Sequence, residues 1–422
     1  MKIREASTET KTKPWKVEGV EWKEVKLKEV AKIIGGNTAP QNKKFYENGK
    51  YLFVRVSDLG AKKNFDPIID TRDKLNDEGI KRNKLVLAPK NTIVFPKSGA
   101  AILTNSRGIL GREAYIVNHL AGVIALENKS SPRYLLFYLS KIDMSKYISP
   151  HSGYPSLKLE TIRNLKIPIP FRNGKPDLET QKKIVEYIES NFSRVNSILE
   201  KKKKILAQLD ELWESALENA FKPREGEEWR EVGFLDMVNL IKGSKPKKVF
   251  NENRDNTLPY LTTEYFREKV IKKFIPIKEN KLTFINKGDL VIIADGSRSG
   301  ELFLCDKEGV LVSTMAKLEI KENEIYKKYL FWFLTIHFEQ LNKSKYTATP
   351  HINKNHLKKL KLPLPFRNGK PELERQKEIA DYLDEVYEKI KSIKEKVQFQ
   401  INQLDEMKES ILNEVFSRDK GK

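Results

Sequence analysis

Two serines, Ser98 and Ser297, stand in loops of small residues, and such a serine becomes a nucleophile only beside a base that an acid orients. Neither has a convincing base with an orienting acid near it in sequence. The run Gly296-Ser297-Arg298-Ser299-Gly300 has glycines that could cradle a phosphate but lacks the Lys-Ser/Thr that completes a P-loop. No dinucleotide fingerprint is present. Five histidines (119, 151, 337, 351 and 356) offer no His-x-x-x-His pair for zinc, and the single cysteine, Cys305, allows neither a disulfide framework nor a cysteine-ligated cluster. Asp177, Glu179 and Lys182 have a nuclease-like spacing, yet they sit at a helix start in a chain so rich in Lys and Glu that Glu-x-Lys triplets arise by chance. Pro-x-Pro-Phe at 168–171 and 363–366 is not the Asn/Asp-Pro-Pro-aromatic motif that holds a flipped base in amino-methyltransferases. No catalytic residue and no metal ligand is expected.

What remains is binding chemistry. Short hydroxyls, amides freed by glycine and an Arg or Lys suit phosphate contacts, and Arg, Asn, Ser and Thr read base edges in the major groove. In the first half these are Asn37 and Thr38 after Gly35-Gly36, then Lys97 and Ser98, Arg107, Arg112, and Ser152 and Tyr154. In the second half they are Lys245, then Ser297, Arg298 and Ser299, and finally Tyr346, Thr349 and His351. Any one loop alone reads as a solvated turn. Their recurrence in both halves favours DNA. Charge agrees: 79 Lys plus Arg against 58 Asp plus Glu leave +21 on 422 residues, an excess that draws polyanions. The longest apolar runs fall far below the ~18–20 residues needed to span a bilayer, and the first 25 residues lack a signal-peptide core, so a cytoplasmic address is expected.

The elements that must hold these loops follow from an internal repeat. Gly19-Val20-Glu21-Trp22-Lys23-Glu24-Val25 returns as Gly226-Glu227-Glu228-Trp229-Arg230-Glu231-Val232, 207 residues on. Leu165-Lys166-Ile167-Pro168-Ile169-Pro170 returns as Leu360-Lys361-Leu362-Pro363-Leu364-Pro365, and the hexapeptide FRNGKP stands at both 171–176 and 366–371, 195 residues apart. The first copy is thus 12 residues longer between these landmarks, where the copies diverge almost beyond recognition. Strand-like runs fall at 51–56, 91–95 and 122–126, then 258–261, 289–294 and 310–312, with short amphipathic helices at 131–140 and 325–341. These make two mixed α/β modules.

Each copy ends in a long helix. From 178 to 222 the seam is Ile188, Phe192, Val195, Leu199, Leu206, Leu209, Trp213, Ala216 and Ala220, with Lys202 as its polar interruption. From 373 to 417 it is Val386, Ile390, Ile393, Val397, Leu404, Met407 and Ile411, interrupted by Gln400. A helix of about 45 residues runs ~65 Å, and one with a single apolar stripe is unstable alone. Two matching stripes should pair antiparallel, with Val195, Leu199, Leu206, Leu209, Ile390, Val397, Leu404 and Ile411 at the contact.

The fold expected is α+β: two recognition modules joined by an antiparallel coiled coil in a pseudo-two-fold repeat. The divisions expected are 1–175 (first module with an N-terminal arm), 176–223 (first spacer helix), 224–370 (second module) and 371–422 (second helix).

With the duplicated Trp, FRNGKP and long-helix frame in hand, the sequence resembles the specificity subunit of type I restriction-modification systems over essentially its whole length. The marks are the paired Leu-Lys-Ile-Pro-Ile-Pro and Leu-Lys-Leu-Pro-Leu-Pro segments, Gln181 and Gln376 at the helix starts, and the helical repeats. The resemblance implies two target-recognition domains that each read half of a bipartite, asymmetric DNA sequence. It also implies a helical spacer that sets the gap and serves as a dock for adenine methyltransferase subunits and a translocating restriction subunit. S-adenosylmethionine, Mg2+ and ATP would then belong to those partners. The competing readings are a coiled-coil scaffold that binds polyanions without sequence preference, and a nuclease.

Overall fold

The computed structural model describes residues 13–59, 65–148, 155–279, 281–296, 298–343 and 354–417. Two compact units emerge, one of residues 1–202 and 399–422, the other of 203–398. The division at 175, 223 and 370 follows chain order, whereas contacts group part of each long helix with each module.

In the first unit the repeat's two landmarks pair with each other. Glu21–Lys26 runs antiparallel to Lys166–Arg172, with Trp22 opposite Pro170 and Glu24 opposite Pro168. The prolines cost no ladder bond here, because the carbonyls of Pro168 and Pro170 face the other way, towards the Tyr134 hydroxyl and the Asp177 amide. The second unit repeats this with Glu228–Gly233 and Lys361–Arg367. These strands were not expected from the pattern of the sequence.

The central sheet of the first unit orders its strands Ala31–Gly35, Leu120–Ala125, Ile93–Pro96, Gly108–Leu110 and Pro67–Ile68. A second sheet orders Asp73–Leu75, Tyr51–Val54, Ala114–Ile116 and Leu87–Ala88, its middle pair parallel. In the second unit the corresponding sheets are Val238–Lys242, Met315–Ile320, Leu290–Ile293 and Leu302–Leu304, then Phe274–Pro276, Thr257–Leu261, Gly309–Leu311 and Phe284–Ile285. The middle pair of that last sheet is again parallel. The modules that diverged in sequence kept one strand order, to which the first adds the edge strand Pro67–Ile68. All six expected strand runs and both short helices (Pro132–Lys141 and Lys327–Lys343) are present, although the first run ends at Val54. There the Asp58 carboxylate accepts from the Arg55 amide and starts a 3-10 turn, Val56–Leu59.

The helix Pro132–Lys141 is buried nearly all round. Tyr134, Leu135, Leu136, Phe137 and Leu139 pack with Ile184, Ile188 and Phe192 of the first long helix (Leu178–Ala220) and with Ile411, Leu412 and Phe416 of the second (Leu373–Phe416). Within this unit Phe192 lines one hollow with Asp405, Glu409 and Leu412, and Tyr187, earlier on the first helix, meets Glu414, later on the second. In the second unit Asp210 pairs with Lys394 at 2.5 Å, and Trp213 lies 5.4 Å from Tyr387. As numbering rises along one helix it falls along the other, so the pair is antiparallel in both units.

Val195, Leu199, Leu209, Ile390, Val397 and Ile411 are buried, and Leu206 and Leu404 half-buried. Ile393 and Met407, expected on the seam, are 43% and 50% exposed. From Ile390 the stripe steps by four and then three, which brings Lys394, Ile401 and Lys408 half inside in place of Ile393, Gln400 and Met407. A step taken one residue short turns the side chain about 100° off the contact.

Candidate nucleic-acid interface

Four separate stretches of the first unit meet beyond the ends of the central strands. The Gly36 and Asn37 amides donate to the Leu120 and Ile116 carbonyls, at 3.2 and 2.9 Å, and the Lys97 amide to that of His119 at 2.8 Å. Leu157 donates to Lys97, and Gly99 to Pro155, each at 2.8 Å. The crossing is tight: a Cβ on Gly36 would stand 2.0 Å from the Val117 carbonyl oxygen. The second unit builds the same crossing from different residues. Gly243 and Ser244 donate to Met315 and Leu311, Ala294 donates to Thr314, and a Cβ on Gly243 would stand 2.0 Å from the Val312 oxygen.

On this frame Asn37, Thr38, Lys97 and Ser98 come together. Asn37 is half-buried because its side-chain oxygen accepts from the Val86 amide at 2.9 Å, while Thr38 is exposed. The Ser98 hydroxyl lies 2.7 Å from His119 Nδ1, and His119 itself is exposed. Among the described residues no carboxylate reaches His119, and the Gly99 amide is already given to Pro155. A serine–histidine pair lacking an orienting acid and a free oxyanion donor fits contact chemistry better than acyl transfer. Its histidine is a donor-bearing ring held towards solvent. His119, with Ser156 and the exposed Lys158 on the adjoining stretch, was not picked out from sequence. Only the fold brings residues so distant together.

Arg112 is exposed but stands elsewhere. It follows Gly108–Leu110, and Leu110 pairs beside Thr92, at the opposite end of Ile93–Pro96 from Lys97. Arg107 is a correction. Its side chain is 1% exposed and folds into the core, donating to the carbonyls of Ser106 (2.7 Å), Leu139 (3.2 Å) and Ile142 (3.1 Å) and to Asn105 Oδ1 (2.6 Å). The guanidinium also lies 4.9 Å from the Phe95 ring. Burial pushes its pKa down, and the Asp143 carboxylate opposes that. This arginine anchors the end of the helix Pro132–Lys141 and is unavailable to DNA.

In the second unit Lys245 is exposed beside the crossing, and the neighbouring Lys242 pairs with Asp295 at 2.9 Å. Arg298 is exposed and borders a hollow of about 710 Å³ with Trp213, Trp332 and Tyr387. Ser299 is also corrected: it is 2% exposed, and its hydroxyl faces the interior without a partner. Ser152, Tyr154, Ser297, Tyr346, Thr349 and His351 lie outside the described residues. Among the described residues no cluster of His, Cys, Asp and Glu could hold a metal ion, and no helix is long and apolar enough to cross a membrane.

The model of the type I restriction modification DNA specificity domain matches residues 19–209 and again 226–403. The MjaVIII specificity subunit of Methanocaldococcus jannaschii, a type I restriction enzyme subunit, is 35% identical over 206 residues, 48% of this chain and 46% of its own. The match thus spans about half the length of that relative. A chain from work on complex assembly and conformational transition of the type I R-M system superposes with a TM-score of 0.72 at 18% identity, covering 95% of this chain and 98% of that one. The HsdS subunit from Thermoanaerobacter tengcongensis does so with 0.53 at 18% identity, covering 94% and 97%.

Proposed function

Since the chain belongs to the type I restriction-modification DNA specificity family, we propose that it reads a bipartite, asymmetric target, one half-site per recognition domain. One observation carries this reading. The two modules share a core topology and a glycine crossing, yet present Asn37, Thr38, Lys97, Ser98 and His119 in one and Lys245 and Thr314 in the other. One scaffold with unlike contact residues suits two unlike half-sites.

The antiparallel helices would hold the heads at a set distance, as half-site spacing does for dimeric DNA readers. They would also let two weak contacts add through effective concentration. Methyltransferase subunits carrying S-adenosylmethionine, and a restriction subunit using ATP and Mg2+, would dock on this frame in the cytoplasm, and the chain itself would contribute no catalysis.

Selection of bound sites from random duplex DNA, with the methyltransferase partner present, tests the reading. Two unlike half-sites at one fixed gap are expected. A single contiguous motif, or binding without sequence preference, would overturn it.

A further inference from the structure

Apolar packing alone would hold each head to its long helix, but such packing is non-directional. The joint carries more than packing. The Gln181 side chain, fully buried in the first turns of the first long helix, accepts from the Ser131 amide at 2.8 Å and donates to the Lys129 carbonyl at 3.2 Å. Gln376, fully buried in the second long helix, accepts from the Tyr326 amide at 2.9 Å and donates to the Glu324 carbonyl at 3.0 Å. Each amide grips the chain just before the head's own helix, with both ends satisfied.

A second anchor sits further along. Glu189, two turns beyond Gln181, binds Arg133 at 2.6 Å. Asp384, two turns beyond Gln376, binds Lys328 at 2.5 Å and accepts from the Trp332 indole at 2.9 Å. Every member stands 195 residues from its counterpart, yet the ion pair is Arg–Glu in one unit and Lys–Asp in the other. The geometry persisted while its chemistry changed. Eight residues separate the two anchors on each helix, about 12 Å of axis. One point of attachment would leave a helix free to tilt; two points that far apart fix its heading.

We propose that Gln181 with Arg133–Glu189, and Gln376 with Lys328–Asp384, are gap-setting residues that hold the angle between each head and its helix. The inference rests on the two-half-site reading above. Loosening one anchor lets a head swing, so more than one gap is accepted while the bases read stay the same.

The test is site selection with the full chain and its methyltransferase partner, comparing wild type with Gln181→Met, Gln376→Met and Glu189→Gln. The last variant changes a partly exposed position and keeps the test usable if a glutamine variant fails to fold. The expected result is unchanged half-sites, with the share at the wild-type gap falling severalfold as gaps one base pair longer or shorter appear. A variant with a lower melting temperature but an unaltered gap distribution would make these residues merely structural and overturn the inference alone. A change in the bases selected, with the gap kept, would overturn it too. A wild type that yields no paired half-sites would instead sink the reading beneath it.

Discussion

Removing the Arg107 side chain would strip the Ser106, Leu139 and Ile142 carbonyls of their donor inside the core. An unmade bond on a buried polar group costs more than a made one returns, so Arg107→Met should lose about 3 kcal/mol in urea unfolding, with the DNA affinity of the folded protein intact. Lost affinity at unchanged stability would contradict the buried role. Ser98 and His119 invite the opposite expectation. Either one changed to alanine should leave stability alone and weaken binding to the selected target by about 1 kcal/mol, roughly fivefold, in a titration at fixed salt. Residue type and loop setting marked Thr38, Lys97, Ser98, Arg107, Arg298 and Ser299 alike. What they could not give is direction. Arg107 turns inward because carbonyls at the end of a helix more than thirty residues away receive it, and His119 joins the candidate site because the sheet folds it against Ser98, 21 positions off.

At the scale of elements, local pattern and internal repeat carry different information. The six strand runs, with unbroken or alternating apolar positions, and both short helices were legible because their burial shows in local pattern. The strands at Trp22 and Pro168 were not, since a charged, exposed strand facing a proline-rich one has no such pattern; only their paired recurrence hinted that they belong together. The seam of the second helix was legible in another way. Adding 195 to Leu199, Leu206 and Trp213 gives Lys394, Ile401 and Lys408, the half-buried positions, whereas hydrophobicity alone pulled Ile393 and Met407 onto the contact. This separates two sets of variants. Ile393→Lys and Met407→Lys should stay within about 0.5 kcal/mol of wild type, as surface changes do. Ile390→Ala should cost about 2–4 kcal/mol, as cavity formation at a buried isoleucine does. Thermal melts of the full chain decide it, and a large loss from Met407→Lys would restore the rejected seam.

For the whole molecule, a charge of +21 and a spacer of paired helices make separate demands. Charge sets overall strength: the logarithm of affinity should fall linearly with the logarithm of salt, at roughly 0.9 per phosphate neutralised. A salt-insensitive association would mean that the excess of Lys and Arg does not face the duplex. On the two-half-site proposal the spacer sets selectivity. Four residues inserted after Lys203 add about 6 Å and leave the downstream stripe about 40° out of phase, a stutter that a coiled coil absorbs by local unwinding. The insertion point lies in the long helix and outside the sheets of both heads, so both should fold and melt as before. The distance between them along DNA would nevertheless change by an amount near two base pairs at 3.4 Å each. Site selection with the insertion variant should therefore return the same half-sites at a different gap, or no paired sites if the mismatched stripe cannot be absorbed. The same half-sites at the original gap would show that helix length does not measure DNA in this protein.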